Sequence, residues 1–262
     1  MNNAYVHGIG LAAPGLPDWS AAQPVLRGNQ AYRPEPLPTF RTARLPRNEA
    51  RRVGAGVSLA FRVAEQACDK DTAGSIATVF ASTAADISIA DRNCSALNSP
   101  ARAVSPTLFH NSVHNAAAGY WSIATGSRAP AISLSGGRDS FAVALCEAWA
   151  MLAMERNPVL LVCFEAVGTG MLQDAWRDIH DSLALALLLS PKATGALGRL
   201  SQPEPTSAPA TPMSDPALER FRHCNPAARG LTLLTALAGP GSQSVVLESG
   251  QVNLAIDVQC SL

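Results

Sequence analysis

Lysine is almost missing from this chain: Lys70 and Lys192 are the only two, and arginine supplies the rest of the positive charge. That charge is fully offset. With 20 basic and 20 acidic residues the formal net charge is zero, which argues against a general nucleic-acid binder, whose footprint is basic. Little net charge also leaves copies or partners free to associate. No run of about 18 apolar residues occurs, so no membrane span is expected. The opening MNNAYVHGIG lacks the basic region and long apolar core of a secretion signal, and the expected location is the cytoplasm. The six cysteines (Cys68, Cys94, Cys146, Cys163, Cys224 and Cys260) form no CxxC pair. They are expected to be free structural thiols in a reducing compartment, with Cys146 and Cys163 buried in apolar runs. His110 and His114 stand four apart, but no third ligand is evident, so no metal site is expected. No serine lies in G-x-S-x-G, which excludes a hydrolase elbow, and no internal repeat is visible.

What is present is a chain of 262 residues, 47% hydrophobic, suited to one domain with a substantial core. It is organised around Val104 to Glu165. A helix is expected over Ser112 to Thr125, with Gly126 as its stop. A strand follows over Ala131 to Ser135, then the turn Gly136-Gly137-Arg138-Asp139, where Asp139 or Ser140 caps the next helix. That helix carries Phe141, Leu145, Trp149 and Leu152 as one apolar stripe. Pro158 opens a buried strand over Val159 to Cys163. A strand running into a tight turn and a buried helix is a common place for a nucleophile, because the helix N-terminus stabilises developing negative charge. This turn offers Ser135, Gly136, Gly137 and Arg138, and no cysteine. Ser135 is the best nucleophile by position, though its strand context favours packing over reactivity.

Elsewhere, Tyr5 to Ala12 reads as the first strand. Gly8, Gly10 and Ala13 satisfy G-x-G-x-x-A, but Pro14-Gly15 and Pro17 interrupt the helix that a dinucleotide site needs. A short helix is expected over Trp19 to Leu26, a Pro-rich irregular segment to Pro46, and a helix from about Asn48 to Cys68. Arg41, Arg44, Arg47, Arg51 and Arg52 surround the start of that last helix, either as a solvated face or as a docking patch for an acidic partner. Ala77 to Ser82 reads as a buried strand with a loop to Asn98. SLALALLLS, within Asp178 to Ser190, reads as a strand buried on both faces. Leu197 to Leu200 is expected beside it. Ser201 to Asp215 reads as a surface loop. A helix over Pro226 to Ala238 and strands over Ser244 to Glu248 and Val252 to Val258 complete the reading.

Val104-Ser105-Pro106, Asn115, Ala118-Gly119, Ser122-Ile123, Gly126, Pro130 and Glu165-Ala166 fall in a spacing that resembles the β-ketoacyl synthases of the thiolase-like superfamily. The opening G-I-G-L-A-A-P-G, from Gly8 to Gly15, is nearly their G-I-G-x-x-(S/A)-P-x-G as well. The resemblance implies an α/β, thiolase-like layered α-β-α-β-α fold with a truncated second half. It implies a ketosynthase-like half over 1–200, a Pro/Ser-rich loop over 201–217, and a reduced helix plus two strands over 218–262. Aligned from Pro130, the family's nucleophilic Cys falls on Arg138, and in a shifted alignment on Leu134; neither accepts an acyl group. The family's H-G-T-G-T and later N-S-x-F-G-F-G-G-x-N histidine regions do not occur.

The chain thus resembles the short chain-length-factor subunits of aryl polyene and xanthomonadin-type pathways. By that resemblance it is a non-catalytic member of a heterodimer with an active β-ketoacyl synthase that uses an acyl carrier protein, and it needs no cofactor and no metal. Phe109, Ser112, Val113 and Ala116 would shape the tunnel end, and Ile132 and Leu134 would face the partner. Arg44, Arg47, Arg51 and Arg52 would meet the carrier protein. Arg138 would form a surface or interface ion pair, or plug the vacated pocket. The competing reading is a divergent acyltransferase or thioesterase working through Ser135 or His110.

Overall fold

The computed structural model describes residues 2–250 and 252–260. In chain order come β1 (Asn3–Ala12), α1 (Trp19–Leu26), α2 (Arg47–Ala50), α3 (Ala55–Ala67), α4 (Lys70–Ala73), β2 (Ala77–Ala81), α5 (Ile87–Asn98), α6 (Pro106–His110) and α7 (Ala116–Thr125). Then follow β3 (Ala131–Leu134), a 3₁₀ turn (Gly137–Asp139), α8 (Ser140–Glu155), β4 (Val159–Glu165), a 3₁₀ turn (Met171–Trp176), β5 (Leu183–Ser190), β6 (Gly198–Ser201) and β7 (Glu204–Thr206). The chain closes with α9 (Pro216–Cys224), a 3₁₀ turn (Pro226–Gly230), α10 (Leu231–Ala238), β8 (Ser242–Leu247) and β9 (Asn253–Cys260).

The strands form one nine-stranded sheet in the order β3-β2-β4-β5-β1-β6-β9-β7, with β8 on β9. β2 pairs in parallel with β3 and β4, and the remaining pairings are antiparallel. β4 and β5 read as unbroken apolar runs because both faces are covered. On one face Leu160, Val162, Ala184 and Ala186 pack with Phe61 of α3 and Trp121 of α7. On the other, Leu161, Cys163, Leu185 and Leu187 pack with Leu145 of α8 and Leu231 of α10. Phe141, Leu145, Trp149 and Leu152 are all buried there, as their spacing requires. The β8–β9 hairpin sends Val245, Leu247, Ile256 and Val258 into the same core, against α10. β3 lies at the end of the sheet, and its outer edge has no strand beside it among the described residues.

Gly8 and Gly10 sit inside β1, not in a turn before a helix. A Cβ on either would overlap the backbone carbonyl of Ala67 or Val63 in α3. Their role is close strand–helix contact, which accounts for the glycine spacing without a nucleotide.

Several expected elements are corrected. The helix over 48–68 is two helices. Gly54 breaks it, held against Asp86 and Ile89, and Asp86 accepts a hydrogen bond from Gly56 in the first turn of α3. The helix over 112–125 begins only at Ala116. Asn111 donates to the Arg52 carbonyl (2.7 Å) and accepts from the Tyr120 hydroxyl (2.9 Å), which fixes a turn between α6 and α7. His110 and His114 are therefore not on one helix. The expected loop before Asn98 contains α5, started by Asp86, whose carboxylate accepts from the Ile89 amide. β6 pairs with β1 and β9 rather than β5, because β5 already has β4 and β1 on its two sides. The loop from 201 contains β7, and α9 precedes the expected C-terminal helix, whose first turn is 3₁₀. Cys146 is exposed, since it lies outside the buried stripe of α8, whereas Cys163 is buried.

Candidate functional site

The turn between β3 and α8 is held by Thr83, which follows β2. The Thr83 hydroxyl donates to the Gly137 carbonyl at 3.0 Å, and the Thr83 carbonyl accepts from the Ser135 hydroxyl at 3.0 Å. Beneath Thr83, the carboxylate of Glu165 at the end of β4 accepts from the Thr83 amide and from the Ser82 hydroxyl. Glu165 is buried, and burial pushes its carboxyl up to about 7 against the hydrogen bonds that favour the charge. The imidazole of His114 reaches the Ser82 carbonyl at 2.9 Å. Gly137 takes a left-handed φ of 58°, which its missing Cβ allows. The Ser140 hydroxyl accepts from the Gly136 amide (3.1 Å) and donates to the Gly137 carbonyl (2.7 Å), closing the turn.

Asp139 occupies the cap position of α8 but accepts no capping bond there. The expectation of an Asp139 cap is corrected: its carboxylate is taken by Arg229 at 2.6 Å. Arg229 also pairs with Glu248 at 3.0 Å, and Glu248 pairs with Arg222, which pairs with Glu219 at 2.8 Å. Both arginines are buried. Arg222 holds the Glu219 carboxyl down to about 2. This chain of ions joins the turn to α9, to the 3₁₀ turn that precedes α10 and to the β8–β9 hairpin. Arg138 points outward, 3.7 Å from Asp178, with a second bond to the His223 carbonyl. Leu134 ends β3 and packs half-buried against the core with Ile132. Ser135 is exposed and its hydroxyl donates to the Thr83 carbonyl, with no histidine hydrogen-bonded to it among the described residues. His110 stacks edge-on to Tyr120.

Phe109 and Val113 are strongly exposed, at 68% and 49%, and Ser112 is exposed beside them, while Ala116 is half-buried at the start of α7. Phe109 and Ser112 line an apolar groove of about 600 Å³ shared with α5, whose Ala90, Asn93, Cys94 and Leu97 the sequence reading missed along with the helix. The arginines separate into two groups. Arg41, Arg47 and Arg51 line one cavity of about 770 Å³ with Phe40 and Leu45. Arg44 is instead built into the fold: it donates to the Cys68 carbonyl at 2.6 Å and lies 5.0 Å over the Trp121 ring. Arg52 pairs with Glu49 at 3.2 Å. No cluster of metal-ligating side chains occurs among the described residues, and no helix of the structure is long and apolar enough to cross a membrane.

The architecture is that of the thiolase-like ketosynthases. A chain from the ketosynthase ApeO in complex with its chain length factor ApeC, from Xenorhabdus doucetiae, superposes with a TM-score of 0.65 at 23% identity, over 98% of this chain and 99% of that one. The ishigamide ketosynthase/chain length factor gives 0.71 at 13% identity, over 99% of each chain. A chain of AntDE:AntF, a type II PKS acyl-carrier protein in complex with its ketosynthase bound to the hexaketide, gives 0.76 at 12%, over 99% of each. No curated protein matches the chain in sequence. The family model for the β-ketoacyl synthase N-terminal domain matches residues 19–242, and the chain belongs to that family.

Proposed function

We propose that this chain is a non-catalytic ketosynthase partner, a chain-length factor that pairs with an active β-ketoacyl synthase and shapes its acyl tunnel. The observation that carries this reading is the β3–α8 turn. The position at which a synthase of this family needs a thiolate nucleophile is held by Arg138, or by Leu134 in the alternative register, and the neighbouring carboxylate is committed to Arg229. A turn fixed in this way has no thiolate to carry an acyl chain, and its Ser135 hydroxyl is spent on the Thr83 carbonyl. The open edge of β3, with exposed Ile123 on α7 and Val143 on α8, supports pairing with a second subunit. The solved relatives include ketosynthase and chain-length-factor complexes, which is the same division of labour. Phe109, Ser112, Val113 and Ala116 would form the tunnel end, and Arg47 and Arg51 would meet an acidic acyl carrier protein.

The test is co-expression with an active ketosynthase, followed by size-exclusion chromatography with mass determination. A one-to-one complex whose condensation activity disappears when the partner's cysteine is replaced is the expected result. A chain that remains alone and turns over acyl thioesters by itself would overturn the reading in favour of an enzyme.

A further inference from the structure

α6 is five residues long, too short to hold its own shape in water. Phe109 lies on it, and 68% of Phe109 is exposed, so packing does little to fix the ring. A wall that stops a growing chain must not give way when pressed. Its rigidity has to come from what anchors the backbone beneath it.

Asn111 is that anchor. Its main-chain amide closes α6 on the Thr107 carbonyl at 3.1 Å. Its side chain is buried and is bonded at both ends. Nδ2 donates to the Arg52 carbonyl at 2.7 Å, and Oδ1 accepts from the hydroxyl of Tyr120, itself buried on α7, at 2.9 Å. A main-chain carbonyl can only accept, so a single orientation of the amide satisfies both partners. Among the described residues, no other hydrogen bond joins residues 46–53 to residues 105–114. Arg52 follows Arg51, which ends α2, and pairs with Glu49 on that helix. One buried amide thus ties the arginine segment, the turn under Phe109 and α7 into a single unit.

We propose that Asn111 is a positioning residue for chain length, which sets where Phe109 stands at the tunnel end by clamping its turn to the arginine segment. Asn111 touches no substrate and acts through Phe109. This rests on the tunnel-shaping reading above and deepens it by naming what holds the tunnel end in place. Without the side chain, the Arg52 carbonyl loses its donor and the Tyr120 hydroxyl its acceptor, and the two segments are free to part.

The Arg52 carbonyl belongs to a peptide bond that trypsin cuts, so the clamp can be read in the full chain alone. Cleavage of a folded chain follows the population of the opened segment. Asn111→Ala should speed cleavage between Arg52 and Val53 about tenfold, the ratio for the loss of one hydrogen bond. The bond after the exposed Arg156 serves as reference. Tyr120→Phe, which keeps the ring and the bond to Arg52, should give a smaller increase, and it decides the matter should Asn111→Ala fail to fold. In the complex with an active ketosynthase, Asn111→Ala should shift the product lengths in the direction that Phe109→Ala does, and the double variant should shift them no further. A structural defect alone would lower the total product and leave the ratio of lengths where it was. Unchanged cleavage at Arg52, equal acceleration after Arg156, or an unaltered length ratio where Phe109→Ala alters it would overturn this inference alone. If Phe109→Ala itself leaves the ratio unaltered, or no complex forms, the tunnel reading falls and this inference with it.

Discussion

Asp139 and Arg229 lie 90 residues apart in sequence and 2.6 Å apart in space, and their contact decides what the β3–α8 turn can do. The guanidinium is buried, and its second bond runs to Glu248 at the end of β8. Removing one member of a buried pair strands the other, at a cost of about 3–5 kcal/mol. Arg229→Ala should therefore lower stability by roughly 3 kcal/mol. Arg138→Ala removes an exposed pair and should change it by less than about 1 kcal/mol. Urea denaturation midpoints of the two variants test the contrast. Equal effects would mean that the network is not what fixes the turn.

The pH dependence of stability should carry the mark of Glu165. Its carboxyl is raised from 4.5 to about 7, chiefly by burial. Between those values the folded chain holds a proton that the unfolded chain has released, so this group's contribution falls as pH rises through that window and is constant above it. The size is on the order of 3 kcal/mol. Glu219 acts in the opposite sense. Arg222 lowers its carboxyl to about 2, so its stabilisation is complete above 4.5 and is lost as pH falls toward 2. Glu165→Gln should flatten the decline between about pH 5 and about pH 8 and leave the acid limb in place. Unfolding curves at a series of pH values check this, and an unchanged decline in the variant would refute the assignment.

Phe109 is expected to act on product length and not on stability. Its ring is 68% exposed, so Phe109→Ala should leave the unfolding midpoint within about 0.5 kcal/mol of the original. In the complex it should lengthen or scramble the acyl products while the two chains still co-elute. An unchanged product distribution would remove Phe109 from the tunnel.

Arginines that look alike in sequence should behave differently. Charge reversal at Arg47 and Arg51, which line an open cavity, should slow association with an acidic carrier protein, with the defect fading at high salt. Arg44→Ala should cost about 1–3 kcal/mol of stability, because it strips the donor from the Cys68 carbonyl and uncovers Trp121. Surface plasmon resonance across a salt series, beside thermal melts, separates the two roles.

What the sequence made legible was the part of the fold whose pattern is local and strong. β1, α1, β4, β5 and the α8 stripe follow from runs and spacings of apolar residues, and the left-handed Gly126 ends α7 as a glycine there should. α5 escaped because ISIADRNCSALN buries little beyond Ile87, Ile89 and Asn93, leaving no clear stripe. The groove built on it escaped for the same reason. α9 is charged and short, although Asp215 followed by Pro216 was a usable start signal. β6 and β7 are placed by strands far away in sequence, and Asp139 gives no hint of Arg229 or Glu248. Contacts of that kind leave no periodic trace.

The open edge of β3 has a consequence for the cell that makes this protein. A strand with free N–H and C=O groups and hydrophobic neighbours is a template for any extended segment it meets, including another copy of itself. On the proposed pairing, a partner supplied in matching amount and time would cover that edge, and a surplus of this subunit alone would burden chaperones and proteases.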